Sequence, residues 1–378
     1  MTQRLLIYSH DTFGLGHLKR CRSIAAAITA ARPDVRVLIA TGSPLAERFP
    51  ALERVDLVRL PAVQKNSAGG YAPLQSGLSL PEVLELRSQL LAEMGADFKP
   101  DVLLVDKEPL GLGGELEPLL EELTAQGSRL ILGLRDILDA PEALAREWQK
   151  SGVMEAMARY HSIWVYGDAA LYKPLSGLPV SPQLNERLQY LGYLAQPPAE
   201  GAADMDTVLV TTGGGGDGAA LLTGMLHVAA LRQQLKFHLI TGPFVGGSAF
   251  EALAAQAAPL KNVILEQFQP DLAASFARAG VVVAMAGYNT FCDVLAGRKR
   301  AVFAPRTSPR QEQLLRAEQA AAMGLGVLAM PEDVADPVKL AARLEQARAM
   351  PLPPQGIYTA LTGGLNRLVK AFNELSRG

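Results

Sequence analysis

Three glycine-bearing segments hold the residue types best suited to chemistry. The first is Gly14-Leu15-Gly16-His17, between a strand run, 4–8, and a helical pattern through Ile24 and Ile28. Glycine lets the backbone turn tightly and approach a ligand closely. A helix start beyond it offers unpaired N–H groups and the positive end of the helix dipole. His17 at that point suits a general base beside a bound ligand; as an ordinary first-turn residue it would face water, and the spacing alone leaves both open. The segment is not a dinucleotide fingerprint, because position 19 is Lys19 where a third glycine would stand, and no GxxxxGK[ST] occurs.

The second segment is Thr211-Thr212-Gly213-Gly214-Gly215-Gly216-Asp217-Gly218. Four consecutive glycines carry a large entropic cost that a plain turn does not need, whereas a nest of backbone amides around a phosphate or diphosphate does. The third runs from Ala286 to Ala317. Gly287 and Asn289 stand where a helix begins after the strand 281–285. Asp293, about one turn on, has the reach to accept from ribose hydroxyls or to sit solvated on the helix. Gln313 can meet a sugar hydroxyl, and Arg306 and Arg310 are placed for anionic groups.

These segments need strand ends and helix starts to hold them, and the surrounding pattern supplies both. Short apolar runs at 35–40, 102–105, 130–134 and 162–166 read as buried parallel strands, as do 237–241, 263–265, 281–285, 301–304 and 327–328. Helical stretches such as 81–94, 115–125 and 311–323 alternate with them. Residues 61–80 read as a long loop. The best linker is 195–204, with Pro197-Pro198 and small residues. Both halves open with strand, glycine turn and helix. The sequence therefore predicts two doubly wound, Rossmann-like α/β domains over 1–195 and 204–356, followed by a C-terminal helical segment over 357–378. In such sheets ligands bind at the carboxyl ends of the strands.

Composition narrows the function classes. The 378 residues are 49% hydrophobic, with 36 basic against 38 acidic residues, so neither disorder nor an electrostatic nucleic-acid surface is indicated. Two cysteines, Cys21 and Cys292, make neither a disulfide framework nor a cysteine metal cluster, and five scattered histidines make no histidine-rich site. Asp204-Met205-Asp206 has the spacing of a metal-binding acidic pair but falls in the linker, where a polar role is expected. No secretory leader and no membrane span are read, so the expected location is cytoplasmic.

At these residues the sequence resembles the GT-B glycosyltransferases, and within them the family 28-like group of the peptidoglycan N-acetylglucosaminyltransferase and its bacterial relatives. That superfamily shares G-x-x-T-x-x-E/D, a strand ending in proline, then Gln and Ala. Here these are Gly287-Tyr288-Asn289-Thr290-Phe291-Cys292-Asp293, Pro305, Gln313 and Ala317. The resemblance spans most of the chain. It implies a GT-B fold with an interdomain cleft and a last helix crossing back onto the first domain. It implies a nucleotide-sugar donor on the second domain, held by Thr212, Gly213, Gly214, Gly215 and Gly216 on the diphosphate side. Phe268 and Gln269 would lie at the base. Gly287, Asn289, Thr290, Asp293, Arg310 and Gln313 complete that set, and Gly14 and Gly16 add to it from the first domain. His17 becomes the catalytic base, and Asp106 and Lys107, at a strand end, become acceptor contacts. Two positions depart from the pattern: Asp293 replaces the usual Glu, and Arg316 replaces the Asn before the Ala.

The implied activity is transfer of a hexose-type sugar from a nucleotide diphosphate sugar, a UDP-sugar first, with inversion and without metal or other cofactor. The acceptor is a small molecule or a lipid-linked one, which would bring the protein to the inner face of the membrane. Three rivals remain. Gly14-Leu15-Gly16-His17-Leu18-Lys19-Arg20 also resembles the GxGHxxR motif of the nucleotide-sugar hydrolase of the pseudaminic acid pathway, in which water replaces the acceptor and Arg20 supports the loop or the phosphates. A non-catalytic nucleotide-sugar binder would hold donor without turnover. A dehydrogenase is disfavoured by the missing GxGxxG.

Overall fold

The computed structural model describes residues 2–10, 16–65, 70–74, 77–148, 152–214, 216–269 and 271–375. Gly14 and Gly215, both expected in the site, lie outside the described residues. The chain divides into two compact units. Unit 1 comprises Met1–Ala169, Lys173–Leu194 and Gly363–Gly378; unit 2 comprises Ala170–Tyr172 and Ala195–Thr362.

Unit 1 is built on a seven-stranded sheet. Its strands are β1 (Gln3–Ser9), β2 (Val35–Thr41), β3 (Val55–Arg59), β6 (Val102–Asp106), β7 (Arg129–Arg135), β8 (Ser162–Tyr166) and β9 (Leu188–Tyr190); β4 (Val63–Lys65) and β5 (Tyr71–Pro73) form a separate hairpin. The sheet order is β3-β2-β1-β6-β7-β8-β9, with every neighbouring pair parallel. β6 and β8 are buried at every position, as strands covered on both faces by helices must be. Strand order reverses between β1 and β6, where Tyr8 stands opposite Val105. Ligand crevices of open α/β sheets form at such a switch.

Unit 2 repeats the plan with six strands: β10 (Asp204–Thr211), β11 (Lys236–Ile240), β12 (Val263–Glu266), β13 (Ala279–Ala284), β14 (Arg300–Phe303) and β15 (Val327–Leu328). The order is β12-β11-β10-β13-β14-β15, again all parallel. Val208, Val210, Phe237, Val281 and Val283 pack with Leu222, Met225 and Leu226 of the helix Ala219–Leu231 into one core. The switch point lies between β10 and β13, and each leads into one of the glycine-bearing turns.

Several expectations are revised. Residues 61–80 are not wholly loop: they contain the β4–β5 hairpin and the start of the helix Leu80–Phe98, where Glu82 accepts from the Ser79 N–H at 2.7 Å. Asp204-Met205-Asp206 begins β10 rather than lying in a linker. Asp204 accepts from Lys236 Nζ at 2.9 Å and Asp206 from Arg348 at 2.9 Å, so both carboxylates serve ion pairs of unit 2. The helical stretch expected from 357 is two helices, Gln355–Thr362 and Gly364–Leu375. They part at Gly363, and a Cβ on Gly364 would stand 2.4 Å from the Tyr193 carbonyl oxygen. The second helix belongs to unit 1, tied there by Arg367 Nε to the Leu191 carbonyl and by Arg32 to Asn373 at 2.8 Å. No described helix is long and apolar enough to cross a membrane.

Candidate functional site

In unit 1 the chemistry gathers at the β1–β6 switch. Gly16 and His17 open the helix Gly16–Ala31, and Asp106 is the last residue of β6. The His17 Nδ1 meets Asp106 Oδ2 in a very short contact. Arg20, one turn along, donates to the same carboxylate: Nε to Oδ1 at 2.9 Å, and Nη2 to Oδ1 at 2.8 Å and Oδ2 at 2.7 Å. Burial acts to raise the Asp106 carboxyl, but Arg20 and His17 outweigh it and hold it at about 2. An ionised Asp106 must accept, so Nδ1 carries the imidazole proton and Nε2 keeps its lone pair. Burial lowers His17 to about 4, more than Asp106 raises it, so the ring is neutral near pH 7. The His17 side chain is 18% exposed and that of Asp106 only 1%. A neutral, oriented and reachable imidazole over a buried carboxylate has the features that general-base chemistry needs. The buried His10 ring meets His17 edge-on, with centroids 5.5 Å apart.

This arrangement corrects three expectations. Asp106 is not an acceptor contact; its carboxylate is spent on His17 and Arg20. Lys107 carries its backbone in the left-handed region and its ammonium 2.6 Å from Glu108, so it too is held within the strand end. Arg20, expected in the hydrolase reading to support the loop or the phosphates, is buried and faces Asp106, which leaves no room for the phosphate role. The pairing of positions 17 and 106 leaves no local signal in the chain; only the adjacency of β1 and β6 creates it.

In unit 2 the glycine loop follows β10. Thr212 Oγ1 donates to the Thr241 carbonyl at 2.6 Å, and the Gly213 N–H to Thr211 Oγ1 at 3.3 Å, fixing the stem. Gly213 adopts φ +73°. Its carbonyl oxygen lies where a Cβ on Gly242 would be, only 2.2 Å away, so the turns after β10 and β11 approach closer than any side chain allows. After β13, Gly287 caps the helix Tyr288–Ala296, with half-buried Asn289 and Thr290 in its first turn and Asp293 behind them. A Cβ on Gly213 would lie 3.9 Å from Thr290 Oγ1, so these two turns face one another across the switch. Arg316 is fully buried beneath this turn. It donates from Nη1 to the Ala286 carbonyl at 2.7 Å and lies under the Tyr288 ring, bracing a residue with φ 60°. The departure at 316 thus has a structural use that its position did not reveal.

The remaining predicted residues lie on neighbouring strand ends. After β12, Gln269 donates to Glu266 and accepts from Ser275 Oγ at 3.0 Å, and Glu266 also meets His238 Nε2 at 2.7 Å. The Gln269 side chain is therefore tied inward, while Phe268 is half-buried beside it. Between β14 and the helix Glu312–Ala322, Arg310 is half-buried and Gln313 Oε1 accepts from the Arg306 N–H at 3.2 Å. The turns after β10, β11, β12, β13 and β14 thus form one carboxyl-end surface with two helix N-termini, of Ala219–Leu231 and Tyr288–Ala296, at its centre. It offers backbone donors and positive dipole ends suited to an anion. Among the described residues, no group of three His, Cys, Asp or Glu side chains is arranged to hold a metal ion.

Comparison with known proteins agrees with this architecture. Residues 207–358, inside unit 2, match the family described as glycosyltransferase family 28 C-terminal domain. No curated protein matches the chain in sequence. Among solved structures it is similar to MurG of Acinetobacter baumannii, at 14% identity and TM-score 0.57, covering 97% of this chain and 95% of that one. It is similar to UGT71G1 of Medicago truncatula complexed with UDP-glucose, at 13% identity and TM-score 0.64, covering 99% and 98%. It is also similar to the calicheamicin glycosyltransferase CalG4, at 14% identity and TM-score 0.61, covering 99% and 98%. Two parallel, doubly wound Rossmann-like units, a family 28 C-terminal match within the second and these neighbours over nearly the whole chain identify the fold as GT-B.

Proposed function

We propose that the chain transfers a hexose-type sugar from a UDP-sugar to an acceptor hydroxyl, with inversion and without a metal. The observation that carries this reading is the buried Asp106 carboxylate orienting a neutral His17 at the unit 1 switch point. The family 28 match over the nucleotide-binding half supports the donor class. Unit 1 supplies the base and acceptor side, and unit 2 the donor side. His17 Nε2 takes the acceptor proton while Nδ1–H stays on Asp106. The acceptor oxygen bonds to the anomeric carbon, and the bond to the diphosphate breaks with its electron pair leaving on the phosphate oxygen. Glycine-loop amides and the two helix N-termini stabilise that charge. Gln313 retains an amide N–H2 with no partner among the described residues, aimed at the role of a sugar-hydroxyl donor.

The test is a thermal-shift screen of UDP-, dTDP- and GDP-sugars, followed by incubation of each hit with and without acceptor alcohols. Stabilisation by a UDP-sugar and acceptor-dependent release of UDP are expected. Release without acceptor would make the chain a nucleotide-sugar hydrolase, and tight binding without any turnover a binding protein. No stabilisation by any sugar nucleotide would overturn the reading.

The close approach of Gly242 to Gly213 gives a sharper prediction. Gly242→Ala places a Cβ against the Gly213 carbonyl at φ +93°. Left-handed strain alone costs about 1–3 kcal/mol, and the collision displaces the glycine loop. We expect a lower unfolding temperature and donor affinity weakened roughly tenfold. Calorimetric titration with UDP checks it; a variant that binds and melts like the parent would show that this contact does not shape the loop.

A further inference from the structure

The geometry points to Arg306 as the cation that receives the donor's diphosphate, with Asp217 of the glycine loop holding its place until the donor arrives. This rests on the nucleotide-sugar reading above and adds to it a residue and an exchange. Arg306 follows Pro305 at the carboxyl end of β14. Its Nη1 donates to Asp217 Oδ2 at 3.1 Å and its Nη2 to Glu312 Oε1 at 2.5 Å. Its Nε is buried with no hydrogen-bond partner among the described residues. One guanidinium therefore serves two carboxylates beside a loop whose amides suit an anion.

Both carboxylates occupy the guanidinium that a diphosphate would need, and Asp217 adds a negative charge on the glycine loop itself. One carboxylate has to yield. Glu312 is 3% exposed and fixed at the start of its helix, so it stays and keeps the guanidinium aimed. Asp217 is 39% exposed and stands between Gly216 and Gly218, so its carboxylate can swing to water at little cost. Its departure frees Nη1, and with Nε two donors then stand open to phosphate oxygens. The exchange takes the aspartate's charge away from the guanidinium and puts the diphosphate's in its place.

The experiment is calorimetric titration of the full chain with UDP, GDP, dTDP and inorganic pyrophosphate. Asp217→Asn removes the competing charge and is expected to tighten diphosphate binding about 5-fold, the scale of a half-exposed ion pair. Arg306→Gln is expected to weaken it, Arg306→Lys to weaken it less, and Asp217→Asn in the Arg306→Gln background to give no gain. Unchanged or weaker binding by Asp217→Asn, with the parent protein binding normally, overturns the exchange and leaves the nucleotide-sugar reading intact. A gain that persists without Arg306 overturns it equally. If no protein in the set binds any diphosphate, the nucleotide-sugar reading itself falls and this inference with it. Thermal unfolding of each variant separates these outcomes from loss of fold.

Discussion

His17→Ala is expected to lower kcat by about 10²–10⁴-fold, the span a positioned general base contributes, while donor binding stays near the parent value. The imidazole is the exposed member of a buried set. Asp106→Asn should also lower kcat, because an amide no longer enforces the tautomer with Nδ1–H; it should lower stability too, because Arg20 loses its counter-charge. The pH profile gives an independent readout. Burial holds His17 at about 4, so the free base is present from there upward. The acid limb of kcat/KM should fall near pH 4, with a flat response from about pH 5 to 7, where an unperturbed histidine would lose activity below about 6.5. Steady-state kinetics across that range checks both points. Turnover retained in His17→Ala, or an acid limb at the ordinary histidine value, would remove His17 from the base role.

The parts of the site that were legible in the sequence are those made within a few residues. A strand, a glycine run and a helix start are contiguous in 207–222 and again in 281–291, and both appear where the pattern placed them. Partnerships across strands were not legible. Asp106 was recognised as a strand-end residue but assigned to the acceptor, because nothing in the chain announces that β6 lies beside β1. Residues 89 positions apart meet only through the switch in strand order. The same holds for Arg316, whose place in the motif marked a departure while its contact with the Ala286 carbonyl exists only in three dimensions. Asp217 was read as part of a glycine run, and its pairing with Arg306 comes from β10 and β14 lying in one sheet.

The fold was legible to a similar depth. Central strands hold continuous apolar runs such as 102–105 and 281–284, because both faces are covered. The missed strands are peripheral: β3 has its apolar residues interrupted by Asp56 and ended by Arg59, and β9 has only three residues. Edge strands carry charge and stay short, which weakens the pattern that marks their neighbours. The division of the last helical stretch escaped for another reason. Gly363-Gly364 is a weak stop by propensity, and what makes it a break is the approach of Gly364 to the backbone of Tyr193.

Arg87→Met is expected to be the most destabilising single change in unit 1. Arg87 and Glu115 are both fully buried, with Arg87 Nη2 3.2 Å from Glu115 Oε1. Tyr8 OH donates to Glu115 Oε1 at 2.7 Å, and the Gly113 N–H to Oε2 at 2.9 Å. Arg87 Nη2 donates to Tyr8 OH at 3.1 Å and Nη1 to the Pro61 carbonyl at 2.8 Å. The arginine therefore joins the helix Leu80–Phe98, the end of β1 and the chain leading into the β4–β5 hairpin. Burial raises the Tyr8 hydroxyl well above its usual range, so the phenol stays protonated and cannot share the charge. Methionine leaves the Glu115 carboxylate buried with neutral donors alone, a defect worth about 3–5 kcal/mol. At about 2–4 °C per kcal/mol for a unit of this size, the thermal transition that unfolds unit 1 should fall by roughly 6–20 °C. The double variant Arg87→Met, Glu115→Gln removes both charges and should recover a large part of that loss, since the penalty belongs to the unpaired ion rather than to the missing pair. Differential scanning calorimetry of the two variants decides it. A single variant that melts like the parent would mean that the buried Glu115 carboxylate is held well enough without the arginine, and a double variant no better than the single would place the arginine's value in its hold on Pro61 and Tyr8 instead.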